Sequence, residues 1–252
     1  MRLDFEALLA GVLPALIWLS IVYTRDRYER EPKGLVAGLF AFSIVPLIVA
    51  AAAERALGVR PTAAVVAVAL FGALMVGLIE EGAKFGGMWL LVRRNPNLNE
   101  PVDGMIYASS IALGFAALET TLYILSTYHR DLLMGAPQQV AAGQAFFVVA
   151  PIRAFTGALG HMSFTGITGE AYGRLRTGTG SRTGVFVAYL KAAGLHAAYD
   201  GLLGIGLTLF GALALLGALA YYVRLFRRAL RDSPFRREQA GWARGGTAAP
   251  PA

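Results

Sequence analysis

The sequence predicts an all-α fold, a polytopic transmembrane bundle of about seven helices with its N-terminus outside and its C-terminus cytoplasmic. Three observations predict it. Of 252 residues, 56% are hydrophobic and 15% charged, against roughly 25% charge in soluble domains, and the mean hydropathy is +0.54. Apolar stretches long enough to cross about 30 Å of hydrocarbon as helix recur along the chain. The basic residues between them alternate in density, as the positive-inside rule requires.

The stretches fall near residues 6–23, 34–53, 62–92, 103–127, 144–172, 184–204 and 207–226. The first follows Asp4 and Glu6 and lacks a small-residue cleavage site, so it reads as a retained helix and not a signal peptide. The last two are separable only if the segment Gly201–Gly206, GLLGIG, contains a turn. Charge decides the count. With the N-terminus outside, the inner segments hold Arg25, Arg27, Arg30, Lys33, Arg93, Arg94, Arg174, Arg176, Arg182 and seven arginines after Val223, whereas the outer ones hold Arg2, Arg55, Arg60 and Arg130. Merging the last two spans would put the most basic segment outside, against the rule. One domain is therefore expected over 1–230. The remainder, 231–252, is rich in Pro, Gly and charge and is expected to be a disordered cytoplasmic tail.

The net charge of +7 does not point to nucleic acid, because seven of the 23 Lys and Arg lie beyond Val223, where a membrane protein often keeps cytoplasmic charge. There are no cysteines, which removes disulfides, thiolate ligands and a cysteine nucleophile.

Ionisable residues inside the spans carry the functional signal. Span three holds Glu80, Glu81 and Lys84; span four, Glu119; span five, Arg153 and His161; span six, Lys191, His196 and Asp200. A central charge costs roughly 2.5–3.5 kcal/mol, so this set must face itself, water or a metal. Counted from the proposed cytoplasmic ends at about 1.5 Å per residue, Glu80, Glu81, His161 and His196 all lie roughly 17–18 Å deep and Glu119 roughly 24 Å. Four helices thus bring ligand-type side chains to nearly one level. Within helices, His196 and Asp200 share a face, as do Glu80 and Lys84, and Glu81 is three residues from Lys84. Lys84 is placed to offset two adjacent carboxylates.

Glu119, His161 and His196 would supply the three nitrogen or oxygen ligands of a catalytic zinc, whose bound water has a lowered pKa. Glu80 or Glu81 could take the proton from that water, with spacing alone leaving both open. Asp200 could be a further ligand or a group that orients the site.

At these residues the chain resembles the PrsW family of bacterial intramembrane peptidases, within the superfamily that includes CAAX prenyl endopeptidases. The resemblance runs from Asp26 to Asp200. It rests on DRYEREPKGL from Asp26, EEGAK at Glu80–Lys84, EPVDGMIYASSIALGFAALE ending at Glu119, RAFTGALGHMSFTGITG around His161, and HAAYD at His196–Asp200. Thr120 and Asp200 depart from it, each standing where asparagine is common. The resemblance implies that Glu80, Glu81 and His161 are essential, and that a divalent metal, zinc being the expected one, serves a peptidase of the bacterial plasma membrane. It also implies single-span substrates in the lipid bilayer, of the anti-sigma-factor type. Oligomeric state is left open.

Other readings compete. Rows of buried Glu, Asp and His also build proton- or cation-coupled transporters, though no internal repeat of the transporter kind is detectable, and a non-catalytic scaffold could retain the same fold. Glu80, Glu81 and Lys84 could simply stitch helices together, and Arg153 and Lys191 read as partners of carboxylates. HExxH is absent, which argues against a site-2-type zinc protease.

Overall fold

The computed structural model describes residues 2–59 and 65–236. Among the described residues the regular structure is entirely helical. The helices are α1 (Arg2–Arg25), α2 (Lys33–Phe42), α3 (Ile44–Ala56), α4 (Val66–Val92), α5 (Pro101–Leu133) and α6 (Gln138–Gly143). A π-helical turn (Gln144–Val149) leads into α7 (Ala150–Arg176), followed by α8 (Arg182–Gly204) and α9 (Thr208–Arg231). Among the described residues six columns are long and apolar enough to cross a membrane: α1, α2 with α3, α4, α5, α6 through α7, and α9. The seventh, α8, is less apolar because it carries Arg182, Lys191, His196 and Asp200, and it packs against α4 and α9. The bundle's outer surface is lined with large apolar side chains such as Ile48, Phe71, Phe155 and Leu209, as lipid contact requires.

Two expected spans are interrupted, each next to a proline. The second breaks at Ser43, because Pro46 has no N–H for the Phe42 carbonyl. Ser43 Oγ donates instead to Phe40 O at 2.6 Å, and Leu47 N to Ser43 O at 3.1 Å. The fifth begins earlier than expected and widens into the π-helical turn just before Pro151, which likewise cannot bond back. The doubtful final pair is two helices. Gly206, at φ +82°, makes the turn between them, a conformation glycine adopts without penalty.

The core is α5, buried without interruption from Pro101 to Ala117 because its sequence is apolar or small on every face. Its most extensive partner is α7, and the crossing is close: a Cβ on Gly104 would collide with the Gly169 carbonyl, and one on Gly169 with the Gly104 carbonyl. Small residues permit this backbone approach, and it sets Glu119 of α5 against His161 of α7. Pro101 opens α5, where its missing N–H costs nothing, and Asp103 Oδ2 accepts from Asn99 N at 2.9 Å and Glu100 N at 2.7 Å. At the same end, Arg176 donates to the carbonyls of Val92 and Arg93, satisfying the last turn of α4. The expected tail lies outside the described residues from position 237; before it, α9 runs to Arg231 and Asp232 accepts from Arg174 at 2.8 Å.

Candidate active site

Glu80, Glu81 and Lys84 project from the middle of α4 into the bundle. Lys84 is wholly buried, yet its Nζ lies 3.0 Å from Glu80 Oε2, 2.8 Å from Glu81 Oε1 and 2.6 Å from His161 Nδ1. A lone ammonium could not remain charged there, so the two carboxylates hold it and it holds them. Its charge also rests 4.4 Å from the centre of the Phe115 ring on α5.

The histidines come from α7 and α8, and their rings meet edge to face with centroids 5.1 Å apart. Each adjoins a different carboxylate: His161 Nε2 lies 2.8 Å from Glu119 Oε2, and His196 Nε2 lies 3.2 Å from Asp200 Oδ2. Phe164, one turn from His161, stacks on the His196 ring at 5.1 Å and fixes its plane. His196 Nδ1 lies 3.0 Å from Glu81 Oε1, whose second oxygen accepts from Thr165 Oγ1 at 2.7 Å. Both oxygens of Glu81 are therefore engaged.

Glu80 differs from its neighbour. Its carboxylate lines a cavity of about 370 Å³ together with Glu119, Arg153, His161, His196 and Asp200, while Glu81 does not reach it. One oxygen of Glu80 and one nitrogen from each of His161 and His196 lie within 4.8 Å of one another, all three residues buried. Glu80 Oε2 is buried and meets the Lys84 ammonium as an ion pair, not as an aligned hydrogen bond. Two imidazoles and a carboxylate are the donors a divalent zinc-type ion selects, so the residues present fit the group.

Glu80, Glu119, Arg153, His161, His196 and Asp200 line this one space, with Glu81 and Lys84 behind Glu80 and Lys191 exposed on α8, but they are not equivalent. Glu119 is tied to Arg153 of α7 by an ion pair and, like Asp200, touches one imidazole only. The three-donor group contains Glu80 in its place. Lys191 makes no ion pair among the described residues, whereas Arg153 pairs with Glu119 and stacks 3.9 Å over the Tyr123 ring. Sequence reasoning overlooked Thr165, Tyr123 and Glu54. The first two stand four residues after His161 and Glu119 and so share their helix faces. Glu54, near the end of α3, also lines the cavity and carried no spacing signal.

The chain is similar to known proteins. The chain is 29% identical over 200 residues to "Protease PrsW" of Geobacillus kaustophilus (strain HTA426), a match spanning 79% of this chain and 80% of that protein. It is 34% identical over 121 residues to the protein of the same name from Shouchella clausii (strain KSM-K16), covering 47% of this chain and 54% of the relative. For Bacillus subtilis (strain 168) the figures are 29% over 121 residues, 48% and 55%, so these two alignments span just over half of each relative. No solved structure matches the chain. The family described as PrsW family intramembrane metalloprotease matches residues 31–226, a stretch that takes in α4, α5, α7 and α8 with every residue around the cavity. By that match this multi-pass membrane protein belongs to the PrsW family of intramembrane metalloproteases.

Proposed function

We propose that this chain is a zinc-dependent endopeptidase of the bacterial plasma membrane that cuts single-span regulatory proteins of the anti-sigma-factor type. The observation that carries the reading is the three-donor group of Glu80, His161 and His196 on the wall of a cavity within apolar helices. These three would hold the ion. When bound, it supplies a water of lowered pKa and polarises the scissile carbonyl.

The chain's own groups do the rest. Glu80 faces the cavity and keeps a second oxygen to take the proton of the attacking water and pass it to the leaving amine. Glu81, with both oxygens occupied, is a positioning residue that orients His196 and balances Lys84. Glu119 holds His161 at Nε2 and Glu81 holds His196 at Nδ1, which would leave His161 Nδ1 and His196 Nε2 for the ion; Asp200 lies beside His196 Nε2, and Arg153 keeps Glu119 in place.

The test is cleavage of a purified single-span substrate in detergent or liposomes. Cleavage should stop with a chelator, return with zinc and be absent in Glu80→Gln. Full cleavage by the chelated protein or by Glu80→Gln would defeat the assignment.

A further inference from the structure

A second acidic cluster lies apart from the cavity, where the α1–α2 connection crosses the start of α5. Oxygens of Asp26, Glu100 and Asp103 lie within 4.8 Å of one another, and Glu29, Glu31 and Asp103 form an overlapping group of the same compactness. Asp26, Glu100 and Asp103 are completely buried and Glu31 nearly so. Such a concentration of carboxylates needs a counter-charge.

Among the described residues no Lys, Arg or His forms an ion pair with any of the five, and the Arg30 charge reaches Asp26 only at longer range. Its donors are spent on particular oxygens: Asp103 Oδ2 takes the backbone N–H groups of Asn99 and Glu100, and Glu31 Oε2 accepts from the Tyr107 hydroxyl. Asp103 Oδ1 and Glu31 Oε1 are buried and find no donor beyond each other's carboxyl, and Asp26 finds only the Tyr28 backbone N–H.

We propose that Asp26, Glu100 and Asp103 bind a hard divalent cation that clasps the α1–α2 connection to the N-terminus of α5. Hard cations hold oxygens at about 2.0–2.6 Å, so ligand atoms up to roughly 5 Å apart share one ion. The donor set is all oxygen, which selects magnesium or calcium, unlike the nitrogen-bearing set around the cavity. The site anchors the helix that presents Glu119, and it stands whether or not the cavity is a zinc site.

Terbium(III) is the probe, because Tyr107 donates to Glu31 beside the site and can sensitise its luminescence. The full chain in detergent is used as His161→Ala/His196→Ala, which removes the nitrogen donors of the cavity. Terbium luminescence should persist in that variant, be displaced by millimolar calcium or magnesium, and fall at least about tenfold when Asp26→Asn or Glu100→Gln is added. Calcium or magnesium should also raise the melting temperature of the wild type but not of Asp26→Asn. Glu100→Gln carries the test if Asp26→Asn does not fold. Undiminished luminescence in both carboxamide variants, its loss with the histidines alone, or a wild-type melting temperature indifferent to both cations would overturn the proposal.

Discussion

Lys84 Nζ and His161 Nδ1 lie 2.6 Å apart, two buried groups from α4 and α7 whose separation in sequence is 77 residues. The same ammonium reaches both glutamates of the pair on its own helix. Lys84 is therefore the knot that ties the α4 carboxylates to the imidazole of the neighbouring helix.

Replacing it should damage fold and activity together. Lys84→Met leaves two buried carboxylates without their cation, a loss of about 3–5 kcal/mol by the behaviour of broken buried pairs. A thermal melt in detergent reads it, and an unchanged melting temperature would contradict the buried-pair argument.

Glu80→Gln and Glu81→Gln should separate. The first is expected to lower kcat by about a hundred- to ten-thousand-fold with the smaller loss of melting temperature, because Lys84 keeps Glu81 as a partner. The second should lower both, because Glu81 accepts from Lys84 and Thr165 inside the core. Equal stability losses in the two variants would show that the cavity-facing and interior roles are misassigned.

Arg153→Met removes the partner of Glu119 and frees that carboxylate from its position against His161. Loss of such a supporting contact typically costs about 10–100-fold in metal affinity or activity. Zinc content after dialysis is the measurement, and full retention would sink the positioning role.

Gly169→Leu puts a side chain where α5 and α7 have no room for a Cβ. It should prevent accumulation of folded protein, whereas Gly194→Leu, at a position with open space, should be tolerated. Size-exclusion chromatography in mild detergent distinguishes them.

The natural absence of cysteine allows a clean test of orientation. Met134→Cys, in the exposed connection after α5, should react with an impermeant thiol reagent from outside intact cells; Thr179→Cys, between α7 and α8, should react only after lysis. The reverse pattern would invert the bundle.

Much of the fold was legible because lipid makes composition informative: a run of apolar residues of the right length has few alternatives to a spanning helix. Glu80, His161 and His196 were legible for the same reason, being costly where they stand. The ranking among carboxylates was not. Whether Glu80 or Glu119 meets both imidazoles depends on side-chain direction and on Arg153 drawing Glu119 aside, which spacing along single helices does not encode. The acids of the α1–α2 connection were invisible for the opposite reason. Charges such as Asp26 and Glu31 look solvated when they stand between spans, and only the packing of that connection over Tyr107 and Asp103 buries them.

Glu80 stands near the midpoint of the 27-residue α4, about 20 Å from either end. A substrate of the proposed single-span kind would deliver to that level a backbone whose every carbonyl is already tied to an amide four residues on, since hydrocarbon offers no other partner. The bond to be cut is reachable only where the incoming helix comes undone. Glycine, proline or serine at the substrate's own centre should therefore govern which proteins are cut, more than the side chains flanking the broken bond.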